Sequence, residues 1–578
     1  MPPNLALEIK CRESERQALL SFKQSLVYRY DILSSWTTQA KANDDCCNWI
    51  GVGCSNNITG GDYHITRLDL HNTGLMGEIG SSLTQLSHLT YLDLSSNEFD
   101  QIFLEDVASL INLNYLNLSY NMLRGPIPQS LGQLSNLEYL NLQFNFLEGE
   151  VSEVHFSKLK NLKALDLSDN FLRNCTLGPY FPRWLRTQNF SVLDIAGNMI
   201  SDKIPRWFWN NLSPNLLFLD VSYNFIKGKI PNLSLKFKTM PVIILGVNEF
   251  EGTIPPFLFG AQNLDLSGNK FSDISSLCEV NYSSPLYLLD ICGNQIFGHL
   301  PRCWNRMLNL ASLSLAYNYF SGKIPHSLSN LTRLKSLNLR KNHFSGEFPS
   351  WFNFTDLIVL DVVDNNFSGN LPSWIGLRLP NLVRLLLKSN NFHGNLPLSL
   401  CNLRRIEVLD ISQNYNISGT IPTCIYKFDA LTKTLNASEV PDYLKDLVMM
   451  WKGKETLIHG RNLQLQRSID LSCNRLTGEI PNKITELVGL VVLNLSRNEL
   501  TGQIPYNIGQ LQSLDFLDPS RNNLCGENQD RLIVQDLLFA ISSGFIIGFW
   551  GIFGSLLLFK RWRLAYFKFL RNIIEKPL

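Results

Sequence analysis

A 24-residue frame repeats along most of this 578-residue chain, and it restricts the fold more than any other feature. Rows beginning at Ile65 (ITRLDLHNTGLMGEIGSSLTQLSH), Leu89, Leu113, Leu310, Leu382 and Leu490 share the frame L-x-x-L-x-L-x-x-N-x-L/F-x-G-x-I-P-x-x-L-x-x-L. About fifteen rows run from Ile65 to Ala430, and about three more from Gln466 to Leu524. The L-x-L core of each row predicts a short strand whose leucines point inward and whose intervening residues point out. One coil cannot bury its own leucines, so successive coils stack and share a core. The asparagine of each row (Asn97, Asn121, Asn145, Asn170, Asn318, Asn342, Asn390, Asn498) follows the strand. Its amide is expected to turn inward and satisfy backbone groups at the bend. Gly and Pro of G-x-I-P end the strand segment and set the next turn.

The pattern is that of a leucine-rich repeat, and the expected fold is an α/β repeat solenoid. A solenoid exposes its core at its ends and needs caps. Residues 11–64 read as an N-terminal cap: Glu13 to Leu26 is helical in pattern, followed by Trp36 and DDCCNWIGVGC. Cys11, Cys46, Cys47 and Cys54 form no C-x-x-C pair and no His cluster accompanies them, which favours a disulfide cap over a metal site. Cys278 and Cys303, and Cys401 and Cys424, lie about one repeat apart, a spacing suited to bridging neighbouring coils. Cys175, Cys292, Cys473 and Cys525 have no evident partner; Cys292 and Cys473 read as small buried residues. Asn-x-Ser/Thr triplets at Asn57, Asn117, Asn174, Asn189, Asn211, Asn232, Asn281, Asn330, Asn353, Asn366, Asn416, Asn436 and Asn494 fit the same oxidising, extracellular setting as glycosylation sites. Residues 1–10 hold no apolar run of signal-peptide length and read as a remnant of a truncated start.

The frame is lost over residues 426–465 and resumes over 466–524. Residues 525–536 form a short juxtamembrane segment. Leu537 to Phe559 is uncharged, and as a helix it spans about 34 Å, enough for a ~30 Å hydrocarbon core. Residues 560–578 carry a net charge of +5, beginning with Lys560, Arg561 and Arg563, so this tail is placed in the cytoplasm. Ala540, Gly544 and Gly548 recur every four residues and mark a small-residue face suited to a partner helix. The whole chain nets +1, without the basic field of a nucleic-acid binder. Catalysis and cofactors are not expected. There is no His-Arg-Asp loop, no Asp-Phe-Gly, no phosphate loop and no G-x-S-x-G, and the nine histidines are scattered.

The G-x-I-P frame and the DCC-x-W-x-G-V-x-C cap resemble the plant extracellular leucine-rich-repeat proteins. The segment YLKDLVMMWKG, with Tyr443, Trp451, Lys452 and Gly453, resembles the loop-out motif of kinase-less plant receptor-like proteins. The tail GFIIGFWGIFGSLLLFKRWRLAYFKFL is similar to the membrane end of that family, in particular the group that includes receptors for ethylene-inducing xylanase. The cap pairing expected is Cys11–Cys46 and Cys47–Cys54, with Cys278–Cys303 and Cys401–Cys424 further on. The chain departs from the family at three places: the missing signal peptide, three rows in the second block where four are usual, and a C-terminal cap without the acidic linker and paired cysteine.

The resemblance implies a single-pass plasma-membrane protein with its repeats outside the cell. It would sense a microbial protein, peptide or saccharide in defence, associate with a receptor-like kinase through the membrane helix, and recruit a co-receptor kinase. A developmental co-receptor for an endogenous peptide shares every one of these features. A soluble inhibitor of a wall-degrading enzyme shares only the repeats. The expected ligand surface is the concave strand face, with Tyr91, Tyr115 and Tyr139 in one column and Lys335, Arg340, Arg384 and Lys388 further along.

Overall fold

The computed structural model describes residues 11–28, 31–37, 45–56, 63–79, 81–102, 104–149, 151–170, 180–280, 283–432, 447–451, 454–458 and 467–525. Each row contributes a three-residue strand, and these strands pair in parallel from one row to the next. The ladder starts with Val52–Asn56, which runs antiparallel to Tyr63–Asp69, and ends at Phe516–Asp518. The central leucine is sealed in the core along the ladder, as at Leu92, Leu116, Leu140, Leu313 and Leu493, each 0% exposed, and only half-buried in the last strand, at Leu517. Over the C-terminal half a second parallel sheet runs along the opposite side, from Phe297–His299 to Glu499–Thr501. Its rows meet through a spine of rings from the L/F position: Phe320, Phe344, Phe367 and Phe392 stack with centroids 6.0–6.5 Å apart. The glycine of G-x-I-P sits mid-strand in this second sheet with φ in the left-handed region. At Gly394 (φ +78) the left-handed conformation favours glycine, and an added Cβ would lie 2.4 Å from Asn370 Oδ1, a side-chain end that would have to move aside.

Between strand and turn, the repeat asparagines form an internal ladder of amides. Asn342 Nδ2 donates to the carbonyls of Leu315, Leu339 and Arg340, and its Oδ1 accepts from Phe320 N–H. The same set recurs at Asn121, Asn145, Asn318, Asn390 and Asn498. The residue before each asparagine takes a left-handed φ of about 50–57°, for example Lys341 and Arg497, which turns the chain and aims those carbonyls at the amide.

The N-terminal helix Glu13–Ser25 covers the first coil with Ala18, Leu19, Leu20 and Phe22. Its buried Glu15 accepts from Ile65 N–H and meets His64 at 3.2 Å, tying cap to ladder. Trp36 and Trp49 stack behind it, with Trp36 Nε1 donating to Ile50 O. Disulfides join Cys11 to Cys46 and Cys47 to Cys54 in the cap, and Cys278 to Cys303 and Cys401 to Cys424 between neighbouring coils. Cys292 and Cys473 are half-buried rather than sealed, because each lies on the turn that follows its strand, facing the concave side. Cys525 is exposed and Cys175 lies outside the described residues.

The solenoid closes directly across the interruption of the repeat. Val408–Asp410 pairs with Ser468–Asp470, and Asn474 Nδ2 reaches back to Ile411 O. Residues up to Leu431 remain in the coil: Leu431 is fully buried and its carbonyl accepts from Gly489 N–H. The departure from the solenoid therefore starts after Leu431, not at Tyr426. Within the interruption, Leu447–Trp451 and Lys454–Ile458 form an antiparallel hairpin; Tyr443, Lys452 and Gly453 lie outside the described residues. Among the described residues no helix is long and apolar enough to cross a membrane. Residues 526–578, with Ala540, Gly544 and Gly548, lie outside them.

Candidate ligand-binding surface

Each strand presents two outward positions on the concave face, one on either side of its buried leucine. Tyr91, Tyr115 and Tyr139 occupy the first of these in successive rows. Strand spacing places their rings in register, with centroids 4.2 and 4.3 Å apart and planes within 5° of parallel. Arg67, in the same column one row earlier, lays its guanidinium 3.6 Å from the Tyr91 ring centroid. Asp93 anchors the stack from the second column: its Oδ2 accepts from Tyr115 Oη at 3.3 Å and from Asn117 Nδ2 at 3.1 Å. Arg67 and Asp93 were not among the expected residues, although Arg67 stands at the tyrosine position of the first row and was legible there.

The other expected anchors are placed differently. Lys335 precedes its strand, and Ser336 holds the tyrosine column in that row. Arg384 occupies the column but is 2% exposed. Arg340 (4% exposed) donates through Nε to Asp361 Oδ2 at 2.9 Å, and Lys388 is 7% exposed. Arg340 and Arg384 are covered by their neighbours on the curved sheet and do not project as anchors, while Lys388 borders a recess in the last rows.

The second outward column is acidic along much of its length. Asp166, Asp194 and Asp220 are successive register partners, and Asp410 adjoins Asp470 across the interruption. Burial first, then the neighbouring carboxylates, raise these groups: Asp194 to about 8, with Asp166 beside it, and Asp410 to about 7, with Asp470 beside it. Burial and Asp265 push Asp290 to about 6. Each carboxylate also closes the turn after its strand, as Asp410 does by accepting from Ser412 N–H and Oγ. The column is therefore part of the scaffold as well as of the surface.

Two glycosylation triplets fall on this face. Asn117 and Asn494 are half-buried there, and their amides bond Asp93 and Asp470. A glycan at either would displace those contacts. Asn189, Asn211, Asn232, Asn330, Asn353, Asn366 and Asn416 are exposed, and Asn57, Asn174, Asn281 and Asn436 lie outside the described residues.

The family described as "Leucine rich repeat N-terminal domain" matches residues 12–55, and "Leucine rich repeat" families match 87–147, 284–344, 467–487 and 489–511. The chain is similar to Receptor-like protein EIX2 of Solanum lycopersicum, 36% identical over 374 residues that cover 59% of this chain and 36% of that protein. The chain is a leucine-rich-repeat protein similar to the plant receptor-like proteins. The match spans little more than a third of that relative's length. Among solved structures, the chain is similar to the Arabidopsis receptor kinase HAESA, solved in complex with the peptide hormone IDA and the co-receptor SERK1. That likeness has a TM-score of 0.65 at 26% identity and covers 89% of this chain and 87% of the other. It is also similar to the plant peptide hormone receptor RGFR1, solved with RGF2, with a TM-score of 0.56 at 25% identity over 84% of this chain and 85% of the other.

Proposed function

We propose that this chain is a cell-surface receptor-like protein that binds an extracellular ligand of microbial origin along its concave face and signals in plant defence through partner kinases. The observation that carries the reading is the ordered aromatic column: three tyrosine rings held in register, capped by Arg67 and braced by Asp93, on a face that no core packing requires to be aromatic. Stacked tyrosines with satisfied hydroxyls offer rigid contact area at little entropic cost. Likeness to ectodomains solved with peptide hormones supports a peptide as ligand, and the complex with SERK1 supports recruitment of a co-receptor kinase. The same likeness favours, as the second reading, a developmental co-receptor for an endogenous peptide. A soluble inhibitor of a wall-degrading enzyme fits less well, because the apolar stretch 537–559 suits a membrane anchor.

The test is to display the chain on plant cells behind a secretion signal and expose it to microbial extracts and to endogenous peptide fractions. A defence response lost in the Tyr91→Ala/Tyr115→Ala/Tyr139→Ala variant supports the proposal. Altered growth without any microbial response supports the second reading. Undiminished binding in the triple variant removes the tyrosine column from the site. Two further parts of the proposal rest, apart from Trp451, on residues outside the described ones. The loop-out set Tyr443, Trp451, Lys452 and Gly453 contacts ligand or co-receptor, and replacing Tyr443, Lys452 and Gly453 should abolish signalling while display persists. Ala540, Gly544 and Gly548 form the face for a partner kinase helix. Gly544→Leu/Gly548→Leu should leave the protein in the membrane and abolish co-precipitation with that kinase.

A further inference from the structure

Over the last rows the concave face recedes into a cavity of ≈ 430 Å³, lined in part by Lys388, Asp470, Asn494, Arg497, Phe516 and Arg521. Lys388 is more than nine-tenths buried, yet its ammonium is not sealed from this space. Among the described residues no hydrogen bond or ion pair reaches Nζ. A cation stripped of most of its water and left without a partner is costly, and an ammonium has three donors to satisfy. The neighbouring groups compensate only part of that cost. Asp410 and Asp470, on the two following strands, sense the Lys388 charge, but neither carboxylate hydrogen-bonds it: Asp410 Oδ1 accepts from Ser412, and the two Asp470 oxygens accept from Ser472 and Asn494. On the preceding side Asp361 is taken by Arg340.

Arg497 and Arg521 sit one row apart at left-handed turn positions (φ +56 for both) and are exposed at the cavity edge. With Lys388 they put three cations in the lining against the two carboxylates of Asp470 and Asp518. Guanidinium and ammonium groups without internal partners, around a space with a positive surplus, suit an anionic oxygen group from outside.

We propose that this cavity is a subsite for a carboxylate of a peptide ligand, held by the Lys388 ammonium at its buried end and by Arg497 and Arg521 at its mouth. The assignment rests on the reading that the concave face binds a peptide. It places the acidic end of that peptide on the rows either side of the interruption, far along the ladder from the tyrosine column.

The experiment titrates the full-length chain in nanodiscs with acetyl-tetraglutamate amide, acetyl-tetraglutamine amide and an oligogalacturonate by calorimetry at low salt. Saturable binding of the glutamate peptide alone is expected. Lys388→Met should weaken it about tenfold or more, the loss of one charge-assisted hydrogen bond. Lys388→Arg should largely retain binding. Arg521→Gln should weaken it less and reduce its salt dependence, as expected for a more exposed charge. Thermal melts of Lys388→Met at or above the parent value show that the fold is intact. Equal binding of the glutamate and glutamine peptides, binding unaffected in Lys388→Met, or preference for the oligogalacturonate overturns the assignment. If the acidic peptide fails while the response lost in the triple tyrosine variant persists in the parent chain, only this subsite falls. If both fail, the peptide-receptor reading falls with it.

Discussion

Replacing Asn342 with Ala tests whether the amide ladder holds the coils together. The Asn342 side chain makes four buried hydrogen bonds, three as donor to Leu315, Leu339 and Arg340 carbonyls and one as acceptor from Phe320 N–H. A net contribution of roughly 1 kcal/mol per bond, with a further cost for each buried group left unpaired, gives an expected destabilisation of about 3–5 kcal/mol. Two of the three carbonyls belong to the residue's own turn and the third to the preceding row, so the damage should centre on rows 310–365. Asn342→Asp should be at least as harmful, since it keeps the acceptor but aims carboxylate oxygens at carbonyl oxygens. The assay is urea unfolding of the secreted chain, with amide hydrogen exchange to locate the loss. Asn330→Ala, at an exposed turn with one local bond to Ser327 O, is the control and should cost under about 0.5 kcal/mol. A loss below about 1 kcal/mol for Asn342→Ala, or one no larger than the control's, would refute the reasoning.

The raised carboxyl groups set a pH dependence. Asp194 (about 8), Asp410 (about 7) and Asp290 (about 6) hold protons in the fold that an unfolded Asp, near pKa ~3.9, has already lost. Stability should therefore fall as pH rises from about 4 towards 8. A melting temperature higher at pH 5 than at pH 8, with a shallower slope in Asp194→Asn, is the expected result of a thermal scan. The Cys401–Cys424 disulfide closes a loop across neighbouring coils at a sequence separation of 23. Its removal as Cys401→Ala/Cys424→Ser should cost about 3 kcal/mol by loop entropy, read as a lower urea midpoint.

The solenoid was legible in the sequence because its determinants are local. Each row carries its own inward leucines, its asparagine and its turn glycine, and a neighbour 24 residues away repeats them, so a one-dimensional pattern specifies a one-dimensional stack. The ring-on-ring register of Tyr91, Tyr115 and Tyr139 follows from the same frame. Tertiary structure decided what the frame does not encode. Whether an outward residue is free depends on the side chains of the rows beside it on a curved face. That is why Arg340 is spent on Asp361 and Arg384 is covered, while Arg497 and Arg521 stand open. The pairing of Val408–Asp410 with Ser468–Asp470 joins strands separated by the interruption, and only that closure brings Lys388 into one cavity with Arg497 and Arg521. A residue's direction is a property of its row; its exposure and its neighbours are properties of the stack.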